Sequence, residues 1–376
     1  MENPFIIKGY RSKELFCDRE EELDNLIQNC VNGIDTTIIS LRRMGKTGLI
    51  LRLFDEIKMR NLPLRPIYVD IYASRSLEDF IRLLAEAVLK SFPESSSLGQ
   101  KFVTFIKSLR PQISFDSITG DPQIQIAYQT ANEKEYTLRG LLEFLDSQDI
   151  QILVAIDEFQ QIREYPEINM EGVLRTYIQQ LKNVHFIFCG SKKHLMADIF
   201  TNVKKPFYSS TRFLTLDKIS TEAYAAFITK LFEQHHRTIS SEAVDYILHW
   251  TKRHTFYTQN LCNAVFASSD RQITIETVKK ACLSILQLNE PIYLQYRQLL
   301  TSGQWNFLIA VAKEQEVEQI TAKNFLMKYK IGNASVARRI ADALYEKELL
   351  VDQVTKDRIV YSVYDVFLSR WLEREY

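Results

Sequence analysis

The chain has 376 residues, 46% of them hydrophobic and 25% charged, with 47 Lys or Arg against 47 Asp or Glu. That composition excludes a disordered polypeptide and suits a globular protein of two to three domains. The formal net charge of zero excludes a whole-chain field that would draw in nucleic acid or an anionic membrane, though not a local basic patch. The start, Met1-Glu2-Asn3-Pro4-Phe5, has neither the basic nor the apolar region of a secretory signal. Apolar runs such as 152–156 are a few residues long, too short to span a bilayer. Cys17, Cys30, Cys189, Cys262 and Cys282 are scattered, with no Cys-x-x-Cys pair. They read as reduced, mostly buried thiols of a cytoplasmic protein rather than as a metal site or disulfide framework.

Strand-like and helix-like segments alternate through the first half. A β-branched run at 36–41 is followed by an amphipathic stretch at 46–59, with Leu49, Leu51, Leu53, Phe54 and Ile57 at helical spacing. A second strand is expected at 66–72 and a helix at 76–91, where Ser76 and Asp79 have the spacing of a capping box. Ile113, Phe115, Ile124, Ile126 and Tyr128 alternate around Thr119-Gly120-Asp121-Pro122, which predicts a hairpin inserted at about 110–130. A helix at 138–147, a buried strand at 150–156 ending in Asp157-Glu158, a helix at 171–183 and strands at 184–189 and 212–216 complete the rhythm. Such alternation predicts an α/β fold with a parallel sheet covered on both faces and a ligand site at the carboxyl ends of its strands. Helical patterns then run from about 219 to 292. From about 304, three helical stretches precede strands at 349–354 and 358–363, which is the winged-helix order.

Two motifs carry chemistry. The segment Ser40-Leu41-Arg42-Arg43-Met44-Gly45-Lys46-Thr47 matches three of the four fixed positions of a phosphate-binding P-loop (Walker A), with Ser40 where glycine is expected. A P-loop needs backbone N–H groups facing phosphate over a helix N-terminus, a lysine for the β/γ oxygens and a hydroxyl for Mg²⁺. A Gly-Lys-Ser/Thr tripeptide arises by chance in roughly one chain in five of this length. Its placement between a predicted strand and a predicted helix is therefore what gives it weight. The second motif, the apolar strand ending in Asp157-Glu158, has the Walker B form: Asp157 beside the Mg²⁺ held by Thr47, and Glu158 able to polarise an attacking water. The pair predicts a site for ATP and Mg²⁺.

With both motifs placed, the sequence resembles the AAA+-like P-loop ATPases of the archaeal-type, or prokaryotic predicted, ATPase family, near the origin-recognition and signal-transduction branches. The resemblance covers nearly the whole chain: Asn3-Pro4-Phe5 with Phe16-Cys17-Asp18-Arg19-Glu20-Glu21-Glu22-Leu23, the Arg-Arg-containing P-loop, Asp157-Glu158-Phe159-Gln160, and Phe188-Cys189-Gly190-Ser191. It implies a P-loop core at 1–218, a helical lid at 219–292 and a winged helix at 293–376. It also implies a nucleotide site formed by Arg19, Ser40, Arg43, Met44, Gly45, Lys46, Thr47 and Gly48, with the N-terminal box near adenine. Ser191 would sense the γ-phosphate, or simply start a loop. Arg212 would serve a neighbouring subunit's site as an arginine finger, or be a solvated surface residue. The family's lid turn of Gly-x-Pro is replaced here by Arg253-His254-Thr255-Phe256-Tyr257-Thr258-Gln259. No cluster completes a metal site around His254.

The winged-helix region, 303–376, has eleven Lys or Arg and eleven Asp or Glu. Duplex binding usually needs a basic excess. DNA contact through Arg338 and Arg339 and contact with a protein partner or another subunit therefore both stay open. The expected function is an ATP-binding protein and Mg-dependent ATPase coupling nucleotide state to conformation and partner binding. The alternative is a nucleotide-gated regulator of DNA or protein with little turnover.

Overall fold

The computed structural model describes residues 2–92, 96–108, 111–115, 122–126, 131–167, 169–268, 270–355 and 358–376. The chain divides into two units, one of residues 8–218, the other of residues 219–376 with the first seven.

The unit 8–218 opens with helix α1 (Glu20–Val31), strand β1 (Thr36–Ile39), α2 (Lys46–Met59), β2 (Leu64–Asp70) and α3 (Leu77–Ser91). It continues through α4 (Ser97–Ser108), β3 (Pro111–Phe115), β4 (Pro122–Ile126) and α5 (Ala131–Asp146), and closes with β5 (Gln151–Asp157), α6 (Met170–Ile178), β6 (Val184–Gly190), α7 (Lys193–Thr201) and β7 (Arg212–Thr215). Five strands form one parallel sheet in the order β2-β5-β6-β1-β7. Strands β3 and β4 pair antiparallel, with Ile113 opposite Ile124. Their connecting turn and Tyr128 lie outside the described residues.

The continuous apolar runs of β5 and β6 follow from the two-sided burial of a parallel sheet. Along β5, Ile152, Val154 and Ile156 enter a core shared with α3, α5 and α6, while Leu153 and Ala155 enter a second core with α1 and α2. On β6, Phe186 and Phe188 face the first core and Ile187 and Cys189 the second. Phe188 packs against Phe159, Phe200 and Phe207 with ring centroids 4.6–5.6 Å apart. Both strands are thereby fixed by side chains on two faces, which holds their carboxyl ends in register. Ser76 caps α3 as its spacing predicts, accepting from Asp79 N at 3.2 Å. The reciprocal half of the box does not form. The Asp79 carboxylate, one methylene shorter than glutamate, accepts from Arg75 N instead.

The second unit contains α8 (Thr221–Gln234), β8 (Thr238–Ile239), α9 (Ser241–Trp250), α10 (Thr255–Phe266), β9 (Gln272–Ile273) and α11 (Ile275–Leu299). After these come α12 (Ser302–Glu314), α13 (Lys323–Tyr329), α14 (Ala334–Glu346), the antiparallel β10 (Leu350–Thr355) and β11 (Arg358–Val363), and α15 (Val366–Glu375). The parallel pair β8–β9 has two residues per strand, too short to show a period in sequence. Phe5 is buried here against Phe232 and Phe266. The Asn3 side chain donates to Asn263 O, and the Asn263 side chain donates to Phe5 O, which ties the N-terminal segment to α10. The Asn3-Pro4-Phe5 box thus packs with the helical unit rather than with the sheet. Helix α11 runs unbroken past residue 292 with Pro291 inside it.

The C-terminal helix ties this unit together. Phe367 on α15 packs on Trp250 and Tyr257, and Trp371 on Tyr293 and Trp305. The buried Arg370 guanidinium donates to Trp250 O at 3.0 Å and His249 O at 3.2 Å, closing the carboxyl end of α9, where backbone acceptors lack helical partners. No helix among the described residues is long and apolar enough to cross a membrane. Arg370→Ala is expected to destabilise this unit by about 1–3 kcal/mol in chemical denaturation, the cost of leaving buried acceptors unpaired. A loss below about 0.5 kcal/mol, the range of neutral surface changes, would show that the contact contributes little.

Candidate nucleotide site

Four strands, β1, β2, β5 and β6, deliver their carboxyl ends to one edge of the sheet. After β1 the chain makes the 40–47 loop and enters α2 through Gly45, which has φ +98° and serves as N-cap. Arg43 is also left-handed, at φ +62°. Ser40 is not among the positive-φ residues. The first P-loop position therefore demands no glycine here, and a side chain fits without backbone strain. Ser40 Oγ donates to Leu41 O at 2.9 Å and accepts from Lys46 Nζ at 3.2 Å. Lys46 also donates to Leu41 O at 3.0 Å. Its ammonium is folded into its own loop and buried, and burial pushes its pKa below the usual lysine value.

The two motifs meet at Thr47. Its hydroxyl donates to Asp157 Oδ2 at 2.6 Å across 110 residues of sequence. Asp157 is held from three further directions: Tyr68 OH reaches Oδ2 at 2.8 Å, and Glu158 N and Cys189 Sγ reach Oδ1 at 2.9 and 3.0 Å. Glu158 follows in the left-handed region, φ +57°, which turns its side chain out of the strand direction. Its Oε2 accepts from Ser191 Oγ at 2.7 Å, Ser191 N at 3.3 Å and Gln160 Nε2 at 2.5 Å. Asp70 ends β2 directly opposite Asp157. Burial and the neighbouring carboxylates Asp157 and Glu158 raise its pKa.

The structure thus brings Ser40, Gly45, Lys46, Thr47, Asp157, Glu158 and Ser191 to one place. Met44 is buried within the loop, while Arg43 is exposed. Gly48 lies beneath Phe16: a Cβ there would sit 2.9 Å from the ring. This close approach connects the N-terminal box to the first turn of α2. Arg19 is buried, φ +78°, and binds Glu22 and Asp217 O at 2.5 Å each. Arg212 is not brought to this site. It begins β7 opposite Thr36 at the amino end of the sheet, exposed, and donates to Asn29 Oδ1 at 3.0 Å. His254 stands at the N-cap position of α10, without a side-chain cap bond, and packs on Tyr257. Arg338 lines a cleft of the winged helix together with Glu318, Asp342 and Asp352.

Sequence reasoning missed Tyr68, Asp70, Cys189 and the part played by Gln160. Asp70 left a signal as an acid near the end of a predicted strand, and Cys189 and Gln160 stand inside the quoted boxes, though nothing there gives them a role; that of Tyr68 depends on which strands become neighbours. Among the described residues no group of three or more His, Cys, Asp or Glu could hold a metal by itself. The oxygen donors Thr47 and Asp157 suit a hard cation such as Mg²⁺ that takes its remaining ligands from phosphate and water. Because Ser40 stabilises the lysine and needs no special φ, Ser40→Gly is expected to leave ATP affinity unchanged or weaken it by up to about tenfold. Tighter ATP binding in a titration would show that the departure from the motif is a defect.

The family model described as "ATPase domain predominantly from Archaea" matches residues 16–254, and one described as "Probable winged helix domain" matches 291–374. Among solved structures, the chain is similar to the Walker-type ATPase of Pyrococcus abyssi, at 17% identity and TM-score 0.66, covering 98% of this chain and 99% of that one. It is similar to the ORC2 protein of Aeropyrum pernix in its ADPNP–ADP complexes, at 12% identity and TM-score 0.59, covering 99% and 96%. The Aeropyrum pernix ORC1 protein in complex with DNA gives 12% identity and TM-score 0.50, covering 96% and 93%. No curated protein matches the chain. At these identities the structural likeness speaks for the fold, a P-loop AAA+ sheet with a winged helix. The family match spans more than half of the sequence, and the chain belongs to the ATPase domain family found predominantly in Archaea.

Proposed function

We propose that this chain binds ATP with Mg²⁺ at the 40–48 loop and hydrolyses it, using Glu158 as the base. The observation that carries the reading is the 2.6 Å bond between Thr47 and Asp157. It places the hydroxyl and carboxylate that a phosphate-bound Mg²⁺ needs side by side, with Lys46 on one flank and Glu158 on the other. The loop's backbone N–H groups and the amino end of α2 attract phosphate. Lys46 exchanges its contacts with Ser40 and Leu41 for phosphate oxygens, and Thr47 and Asp157 would hold Mg²⁺. When bound, the ion neutralises charge that builds up on the transferring phosphoryl group. Glu158 accepts a proton from the attacking water, and Ser191, bonded to that carboxylate, stands where it can respond to the γ-phosphate.

A second reading, a nucleotide-gated switch with little turnover, draws support from Glu158 itself. Its Oε2 is already engaged by three donors, which favours a resting carboxylate. Multiple-turnover rate against bound nucleotide separates the two readings. Arg212 belongs to either scheme only through a second copy of the chain, because it sits at the far end of its own sheet. For the winged helix we propose a protein surface, its own or a partner's, as the contact. The eleven-to-eleven charge balance and the acids around Arg338 support this over duplex DNA. DNA, the ligand of the ORC1 neighbour, is the competing partner, and a salt-dependent affinity for duplex would favour it.

Lys46→Ala is expected to weaken ATP binding by about 10- to 100-fold, the worth of a charge-assisted bond of about 1.5–3 kcal/mol. Equal binding by parent and variant would remove the site. Glu158→Gln is expected to keep ATP affinity and lower steady-state phosphate release by about 10²- to 10⁴-fold. Unchanged release would rule out Glu158 as the base.

A further inference from the structure

Gln160 is nearly fully buried, at 4% exposure, in the short 3-10 turn after β5. Its amide N–H donates to Glu158 Oε2 at 2.5 Å. The opposite end of the same amide, Oε1, is buried and has no hydrogen-bond partner among the described residues. The amide cannot be turned over, because its oxygen would then face a carboxylate oxygen. A buried acceptor left unsatisfied is unfavourable. What offsets that cost here is the bond to Glu158.

The slot that holds the amide is made by Gly190, the last residue of β6. A Cβ at this position would lie 1.9 Å from Gln160 Oε1, and 2.8–2.9 Å from the Sδ and Cγ of Met196. Gly190 has no positive φ, so its lack of a side chain answers to space, not to backbone conformation. Any larger residue would drive Gln160 out. The next residue, Ser191, supplies the other two donors to Glu158 Oε2. The turn after β5 and the end of β6 thus grip the same carboxylate oxygen from two sides. Among the described residues, no hydrogen bond reaches Glu158 Oε1, which is left with its lone pairs available.

We propose that Gln160 is a positioning residue for Glu158: seated in the Gly190 slot, it fixes Oε2 and so aims Oε1 at the water that attacks the γ-phosphate. This rests on the reading of Glu158 as the base. No bond to Gln160 forms or breaks in the reaction. The proton passes from water to Glu158 Oε1 while Oε2 stays held; the water oxygen bonds the γ-phosphorus as its bond to the bridging oxygen breaks, and ADP leaves with that electron pair. A carboxylate released from this grip still sits in the site but samples other rotamers, and a small misplacement of a reacting group costs rate, not binding.

The test is steady-state ATP hydrolysis by the full chain, with ATP affinity measured separately. Gln160→Met keeps the side-chain volume and removes the N–H. It is expected to lower kcat by about 10- to 100-fold with ATP affinity within about twofold of the parent. Gly190→Ala, which displaces the amide by its Cβ, is expected to do the same. In a Gln160→Ala background, Gly190→Ala is expected to add little further loss, since both act through one contact. Parental kcat in Gln160→Met overturns the proposal. So does full additivity in the double variant, which would mean that Gly190 acts through Met196 or the strand. Glu158→Gln run alongside separates the two levels: if it turns over normally the base reading itself fails, whereas a dead Glu158→Gln with a fully active Gln160→Met removes only the positioning role.

Discussion

The Asp157 carboxylate is the point on which the site depends. It takes one hydrogen bond each from the first turn of α2 (Thr47), the edge strand β2 (Tyr68), the neighbouring strand β6 (Cys189) and its own following amide. A carboxylate with both oxygens occupied in this way does not rotate freely. The loop after β1 is therefore located relative to β5, although β6 stands between the two strands in the sheet. The energetic footing lies below. Burial of alternate β5 and β6 side chains in two separate cores fixes the register that brings Asp70, Asp157 and Gly190 to one edge.

Much of this was legible in the sequence. The 36–41 run, the 46–59 helix and the 150–156 strand lie close to β1, α2 and β5, because a buried parallel strand and an amphipathic helix announce themselves by composition and period. The sequence does not announce the helices at 20–31, 97–108 and 193–201. The first stands out as a motif rather than by its period. The second precedes an insertion that broke the rhythm. The third, nine residues long, has too few turns to display a stripe. The expected capping box at Ser76 formed by half because Asp79 is short. Register was beyond reach. Nothing in the run Leu64–Asp70 says that Tyr68 and Asp70 will lie beside Asp157.

The departure at Ser40 changes meaning in three dimensions. By sequence it weakened the P-loop. In the fold, the left-handed positions are Arg43 and Gly45, and Ser40 contributes a hydroxyl to Lys46. Glycine freedom is needed where φ is positive or where a neighbour comes too close. Gly45 is a case of the first, and Gly48 and Gly190 are cases of the second. In the other unit, continuous α11 and the Arg370 contact to α9 make the helical segment and the winged helix one body.

The central claim is that Thr47 and Asp157 make one metal-dependent nucleotide site out of two distant motifs. The most direct measurement is ATP affinity with and without Mg²⁺, in the parent chain and in Asp157→Asn. The account predicts that Mg²⁺ tightens ATP binding in the parent and that most of this gain disappears in Asp157→Asn, with metal-free affinity largely kept. An equal Mg²⁺ effect in both proteins would contradict it.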